Sequence, residues 1–344
     1  MDMLSDFAGM LLTQLQKPTL AFLIGGMVLA ALGSRLVVPE AIYKFIVTLL
    51  LLKVGLGAGM SVRESNPAEL AIPALAAAGF GVLIVLLGAA TLARRRGVAW
   101  VDGVATAGLF GAVSASTLAA GMAMLDAEGI AYEGFIGALY PFMDLAALLT
   151  AIVLARMSAE RRAVLHQNGT ATMGGPRFPS VDIRAILIDT ARSPAISALL
   201  LGLAIGFLSK PEALYESFYQ LLFYGLLSIL MLIMGMEAWE RLSEMRKVAH
   251  TYLAYGLLAP LVHGLLGLGA GVLVHQITGF SEGGVVLLAV LAASSSDISG
   301  PPTLRGALPE ANPSAYIGTS TGLGTPVAIL AIPLWMVLAD RLVS

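Results

Sequence analysis

The chain has 344 residues, of which 12% are charged and 58% hydrophobic, with a mean hydropathy of +0.86; soluble domains carry about a quarter charged residues, so water is excluded as the main solvent. A net charge of −2 excludes a nucleic-acid partner attracted by bulk charge, and the absence of cysteine excludes disulfides, thiol nucleophiles, thiolate metal sites and redox switching. Each membrane crossing takes roughly 20 apolar residues, so ten crossings with short loops use nearly the whole chain.

Met1, Asp2, Met3 and Asp6 offer no basic region, so the N-terminal segment reads as retained rather than as a cleaved signal peptide. Apolar runs of membrane length then follow at 18–38, 42–60, 70–93, 101–125 and 134–155. The longest polar stretch, 156–184, carries Asn168-Gly169, Gly174-Gly175-Pro176 and Pro179, which are turn signals, and reads as a linker. Five further runs lie at 185–208, 214–239, 249–276, 283–304 and 314–339. The expected fold is an all-α membrane protein of ten transmembrane helices, with one five-helix unit at 1–155, a cytoplasmic linker at 156–184 and a second unit at 185–344.

Basic loops stay cytoplasmic. Fifteen of the twenty Lys and Arg residues fall on one side: Arg35, Lys44, Arg94 to Arg96, those from Arg156 to Arg192, Arg241, Arg246, Lys247 and Arg305. This predicts a cytoplasmic linker and both termini outside.

The halves share an ordered set of marks. Pro39-Glu40-Ala41-Ile42-Tyr43 opens the second run and Pro211-Glu212-Ala213-Leu214-Tyr215 the seventh, and Gly59-Met60 and Gly235-Met236 fall near the ends of those runs. Ser-rich breaks follow in the fourth and ninth, and Tyr140-Pro141 leads the fifth as Thr325-Pro326 leads the tenth. Matches in one order are an internal repeat; since five is odd, the second copy is inverted, an arrangement common in secondary transporters.

Two segments carry chemistry. The fourth run contains Gly111-Ala112-Val113-Ser114-Ala115-Ser116-Thr117 and the ninth Ser294-Ser295-Ser296-Asp297-Ile298-Ser299-Gly300-Pro301-Pro302. A rise of about 1.5 Å per residue places Ser114 roughly 20 Å from either end of its run, near the bilayer midplane, and the second break lies at matching depth. Proline suits the first turn of a new half-helix, with Ser299 as the expected N-cap, and Ser116 or Thr117 would cap the other. Broken helices four and nine would thus cross at the midplane with free N–H groups and positive dipole ends converging on an anion. Asp297 opposes an anion and is expensive to bury alone. A Na+ ion held by carbonyls, hydroxyls and this carboxylate resolves the conflict, and a protonated Asp297 with H+ coupling is the alternative. The bland reading is that these small residues serve helix packing. Asp144, three residues beyond Pro141, is a candidate partner of the site. Lys53 has no counterpart in the other half and reads as snorkelling or ion-paired. The four histidines, His166, His250, His263 and His275, lack metal-ligand spacing.

These residues carry a resemblance. Pro18–Met27, Gly108–Ser114, Ala138–Asp144, Leu227–Trp239 and Ala292–Arg305 are similar to segments of the cyanobacterial sodium-dependent bicarbonate transporter family, the SbtA-type permeases. The resemblance implies a homotrimer in the plasma membrane, an elevator-like core sliding against a scaffold, and symport of bicarbonate with Na+ at the crossing of helices four and nine. Carried onto this chain, Gly111, Ser114, Ala115, Ser116, Ser294 and Ser295 would bind the substrate, and Ser296, Asp297, Ser299 and Asp144 the sodium. It also implies a small PII-like regulator on the cytoplasmic face, although the linker here is shorter than in those members. Ala115 stands where they carry glycine. The runner-up is a Na+- or H+-coupled symporter of another small anion. An enzyme is disfavoured, because no H-E-x-x-H helix or matched Ser–His pair is present.

Overall fold

Backbone surrounded by lipid must satisfy its own hydrogen bonds, and a helix does so within one segment. The computed structural model describes residues 16–64, 67–166, 184, 188, 191–245 and 250–343, and no strand occurs among them. The first half contains α1 (Pro18–Ala31), α2 (Glu40–Glu64), α3 (Pro67–Thr91), α4 (Trp100–Gly111), α5 (Ala115–Glu128) and, after a 3-10 turn at Gly134–Ala138, α6 (Leu139–His166). The second half contains α7 (Pro194–Leu208), α8 (Leu221–Met245, preceded by a π-helical turn at Tyr215–Gln220), α9 (His250–Thr278), α10 (Glu282–Ala293) and α11 (Gly300–Ala307). It closes with α12 (Pro313–Thr319), a π-helical turn at Ser320–Gly324, α13 (Thr325–Leu330) and α14 (Ile332–Val343).

Each of the ten expected runs meets a helix, but only six stretches among the described residues are long and apolar enough to cross a membrane, one of them, Trp100–Glu128, being interrupted at residues 112–114. A seventh is the pair Pro313–Leu330 and Ile332–Val343, bent by 43°. The remaining runs hold shorter helices for identifiable reasons. The first run stops at Ala31 rather than residue 38 because Gly33 turns left-handed at φ 75° and the Ser34 N–H donates to the Leu29 carbonyl, closing the helix end. The ninth is interrupted at 294–299. In the sixth, Pro194 opens α7 with Ser193 accepting the Ile196 N–H. The expected linker begins as helix, since α6 continues past residue 155 to His166; its turn signals from Asn168 to Pro179 lie outside the described residues, as does the segment from Met1 to Asp6.

The outer helices turn large apolar side chains outward, among them Leu32, Leu201, Leu208, Leu221, Leu258 and Leu273. By contrast the membrane-length window within Trp100–Glu128 is wholly buried, and α10 is buried from Gly283 to Ala293. Hydrophobic surface therefore faces out, as lipid requires, around a central helix pair.

Glycine sets how the halves meet. α2 packs against α7 through Gly55 and Gly59 on one side and Gly202 and Gly206 on the other, two small-xxx-small patterns face to face. A Cβ at Gly55 would run into the Leu199 carbonyl oxygen, and one at Gly202 would stand 2.7 Å from the Leu52 carbonyl oxygen. α1 meets α8 in the same way, with Gly26 against the Leu232 carbonyl and Gly235 against the Leu23 carbonyl. The first helix of each half thus packs on the second helix of the other.

Carboxylates tie the central helices at both ends. Glu133, in the connection after α5, accepts from the Ser281 N–H at 2.7 Å and from its hydroxyl at 2.9 Å, and Ser281 in turn caps α10 by accepting the Gly284 N–H. At the opposite end Asp102, in the first turn of α4, accepts the Asn312 N–H at 2.8 Å, and Asn312 caps α12.

Candidate functional site

Helix α4 ends at Gly111 because residues 112–114 turn extended, with Ala112 at φ −88°, ψ 163° and Ser114 at φ −96°, ψ 125°. Gly111 lets the chain pass close to its neighbours: a Cβ there would stand 2.7 Å from the Gly81 carbonyl oxygen and 2.9 Å from Ala147 Cβ. Ser114, and not Ser116 or Thr117 as expected, caps α5 by accepting the Thr117 N–H at 3.1 Å. The chain leaves its helix earlier than the hydroxyl pattern alone suggests, so α5 starts at Ala115 and the Thr117 N–H is taken by the Ser114 hydroxyl.

The second interruption covers Ser294 to Ser299, and Pro301 and Pro302 occupy the first turn of α11 as expected. Ser299 does not cap that helix. It is itself helical at φ −77°, ψ −43°, and its hydroxyl donates to Asp144 Oδ1 at 3.2 Å. Ser296 replaces it, accepting the Gly300 N–H on Oγ at 2.9 Å.

The two interruptions satisfy each other. The Ser114 N–H donates to Ser294 Oγ at 3.2 Å, and the Ser296 N–H donates to the Leu109 carbonyl at 2.8 Å. A lone gap in a buried helix would leave these groups unpaired at about 1–3 kcal/mol each. Only the presence of the other half removes that penalty.

Two carboxylates flank the contact. Asp297 Oδ2 accepts from Ser116 Oγ at 2.6 Å and Ser114 Oγ at 3.2 Å. The charge sits on the α5 N-terminus, where the helix dipole favours it. Asp144, fully buried, accepts on Oδ1 from the Val113 N–H at 3.1 Å and from Ser299. Asp297 Oδ1 and Asp144 Oδ2 are buried without a hydrogen-bond partner. Among the described residues neither carboxylate has a Lys, Arg or His ion pair. Such oxygens suit a hard cation.

The structure thus brings Ser114, Ser116, Ser294, Ser296, Asp297, Ser299 and Asp144 to one place, with Ala115 between Ser114 and Ser116, while Gly111 ends α4 against Gly81, Val85 and Ala147. Ser295 is adjacent in the chain but committed elsewhere: its hydroxyl donates to the Ser320 carbonyl at 3.0 Å and lies 3.1 Å from Thr325 Oγ1. Ser320 and Thr325 were missed by sequence reasoning, although Thr325-Pro326 had already stood out as the counterpart of Tyr140-Pro141. The Tyr140 hydroxyl joins the site, 3.4 Å from Ser299 Oγ.

Lys53 neither snorkels nor forms an ion pair among the described residues. It is buried, with Nζ 4.0 Å from the Phe223 ring centroid, an arrangement worth about 2 kcal/mol when desolvated. It lines a separate cavity of about 380 Å³ with Asp126, Tyr132 and Tyr215. Asp126 there accepts from the Tyr132 and Tyr224 hydroxyls.

A family profile described as the Na+-dependent bicarbonate transporter superfamily matches residues 18–340, which include every part of this site. No curated protein matches the chain.

Proposed function

Since the chain belongs to the Na+-dependent bicarbonate transporter superfamily, we propose that it is a plasma-membrane symporter carrying bicarbonate inward with Na+, not an enzyme. The observation that carries the reading is the posture of Asp297. Its carboxylate takes the Ser114 and Ser116 hydroxyls, which are the donors an incoming anion needs. Na+ bound at Asp297, with Ser296, Ser299 and Asp144 as neighbouring oxygen groups, competes with those donors for the carboxylate and releases them. A planar monoanion with three oxygens then accepts from Ser114, Ser116 and the α5 N-terminus, with Gly111, Ala115 and Ser294 forming the walls. Anion binding is strong only when the cation is loaded, so each ligand raises the affinity of the other.

The architecture we propose is ten membrane helices in two inverted five-helix repeats, 1–155 and 185–344, with α4–α5 and α10–α11 as broken helices four and nine crossing at the bilayer midplane. The reciprocal packing of α1 on α8 and α7 on α2 supports this, because an inverted pair exchanges equivalent contacts. The ties Glu133–Ser281 and Asp102–Asn312 support a core that moves as one body, as elevator-type alternating access requires. Both termini lie outside, from the charge asymmetry. A homotrimer and a PII-like regulator on the cytoplasmic face complete the proposal through the family resemblance.

Uptake of radiolabelled bicarbonate into proteoliposomes tests the function. Wild type accumulates bicarbonate when an inward Na+ gradient is imposed and not when choline replaces Na+, whereas Asp297→Asn shows no Na+ stimulation. Ordinary Na+-driven uptake by that variant would place the cation elsewhere.

A further inference from the structure

Beside the Asp297 site lies a second group of oxygens that the symport reading does not use. Ser295 Oγ stands 3.0 Å from the Ser320 carbonyl oxygen and 3.1 Å from Thr325 Oγ1, and Thr325 Oγ1 stands 3.2 Å from the Ser295 carbonyl oxygen and 3.4 Å from that of Ser320. All three residues are fully buried. The protons do not suffice for these contacts. Each hydroxyl has one proton to give, so at most two of the four oxygen–oxygen contacts are full hydrogen bonds, and in the others lone pair faces lone pair or a shared proton. The Ser320 carbonyl already receives the Thr325 N–H as well. A cation among the oxygens removes the repulsion.

The local backbone favours the same conclusion. Ser320–Gly324 is a π-helical turn, a wide form found often at functional sites, and Pro326 has no N–H to give a carbonyl one turn earlier. Ser320 Oγ is buried with no hydrogen-bond partner. Gly324 allows the approach, since a Cβ there would stand 3.0 Å from Ser295 Oγ. Edges of 3.0–3.4 Å match neighbouring ligands around an octahedral cation with bonds of roughly 2.1–2.4 Å, between the magnesium and calcium values. The ligands are neutral, so a divalent ion would remain uncompensated, and a monovalent ion of sodium's radius fits.

Charge points the same way. Asp144 and Asp297 are two carboxylates without a cationic side chain among the described residues, and a bound bicarbonate makes three negative charges. One Na+ would leave two of them without compensation in a dry interior.

Resting on the assignment of Asp297 to one cation, we infer that the Ser295 carbonyl and hydroxyl, the Ser320 carbonyl and the Thr325 hydroxyl form a second site for a monovalent alkali cation. Two Na+ then travel with each bicarbonate, the cycle moves one net positive charge, and an inside-negative potential accelerates uptake.

The test counts bound 22Na+ on purified protein and measures Na+-dependent uptake with and without an imposed potential. Wild type should bind two 22Na+ per chain, with a Hill coefficient near 2 and uptake raised by the inside-negative potential. Thr325→Val, which keeps the shape and removes the hydroxyl, and Ser295→Ala should each bind one, with a Hill coefficient near 1. Thr325→Ser should keep two, which separates ligation from misfolding. Asp297→Asn should also lose one ion, and if it loses none the Asp297 reading fails independently. One 22Na+ per wild-type chain with electroneutral uptake, or two ions retained by Thr325→Val, would overturn the second site and leave single-ion symport standing.

Discussion

Ser116→Ala separates a shared donor from an ordinary structural hydroxyl, because the proposed coupling gives its two ligands opposite responses. The Ser116 hydroxyl donates to Asp297 at 2.6 Å, and a hydrogen bond to a charged group is worth about 1.5–3 kcal/mol. Removing it leaves the carboxylate less satisfied, so Na+ competes against a weaker partner. Na+ affinity without bicarbonate should therefore rise by roughly ten- to a hundredfold. In the Na+-loaded protein the same hydroxyl would hold the anion, so bicarbonate affinity at saturating Na+ should fall by a similar factor. Binding of 22Na+ in carbonate-free buffer, and of labelled bicarbonate at saturating Na+, reads the two quantities on one preparation. A parallel loss of both affinities would refute the sharing of this donor, as would no change in either.

Glycine packing predicts a stability difference between neighbouring types of site. Gly55→Ala forces a methyl into the Leu199 carbonyl and should destabilise by about 1–3 kcal/mol, as overpacking does, whereas Gly25→Ala meets nothing within 4 Å and should leave the melting temperature in detergent unchanged. The charge asymmetry predicts orientation: a cysteine introduced at Thr170 should resist an impermeant thiol reagent applied to intact cells, and labelling from outside would reverse the topology.

The positions of both helix breaks were legible because serine runs and a proline pair interrupt otherwise apolar segments, and lipid tolerates such interruptions only for a reason. Which hydroxyl does what was not. Ser114, Ser116 and Ser299 carry the same group, and their roles depend on which partner the fold brings within 3 Å. Ser114 meets a residue 180 positions away and Ser116 one 181 away, a distance no local pattern encodes. The early end of α1 was available at Gly33 but was hidden by the hydropathy of the residues on either side. The π-helical turn at Ser320–Gly324 has no signature in hydropathy, so the company of Ser295 could not be foreseen. Lys53 reads from the sequence as snorkelling or ion-paired, yet it sits buried over Phe223, 170 residues away in the chain.

The mutual satisfaction of the two breaks also imposes a schedule on synthesis. Ser294 leaves the ribosome 180 residues after Ser114, and Asn312 leaves 210 residues after Asp102. At about 5–20 residues per second the first half must wait roughly 9–42 s for those partners. During that interval the Ser114 N–H and the Leu109 carbonyl lack the groups that later satisfy them, in a segment destined for the centre of the molecule. A nascent first half is therefore a client for whatever machinery shields polar backbone during insertion, and slowing translation between the halves should lengthen its exposure to membrane proteases.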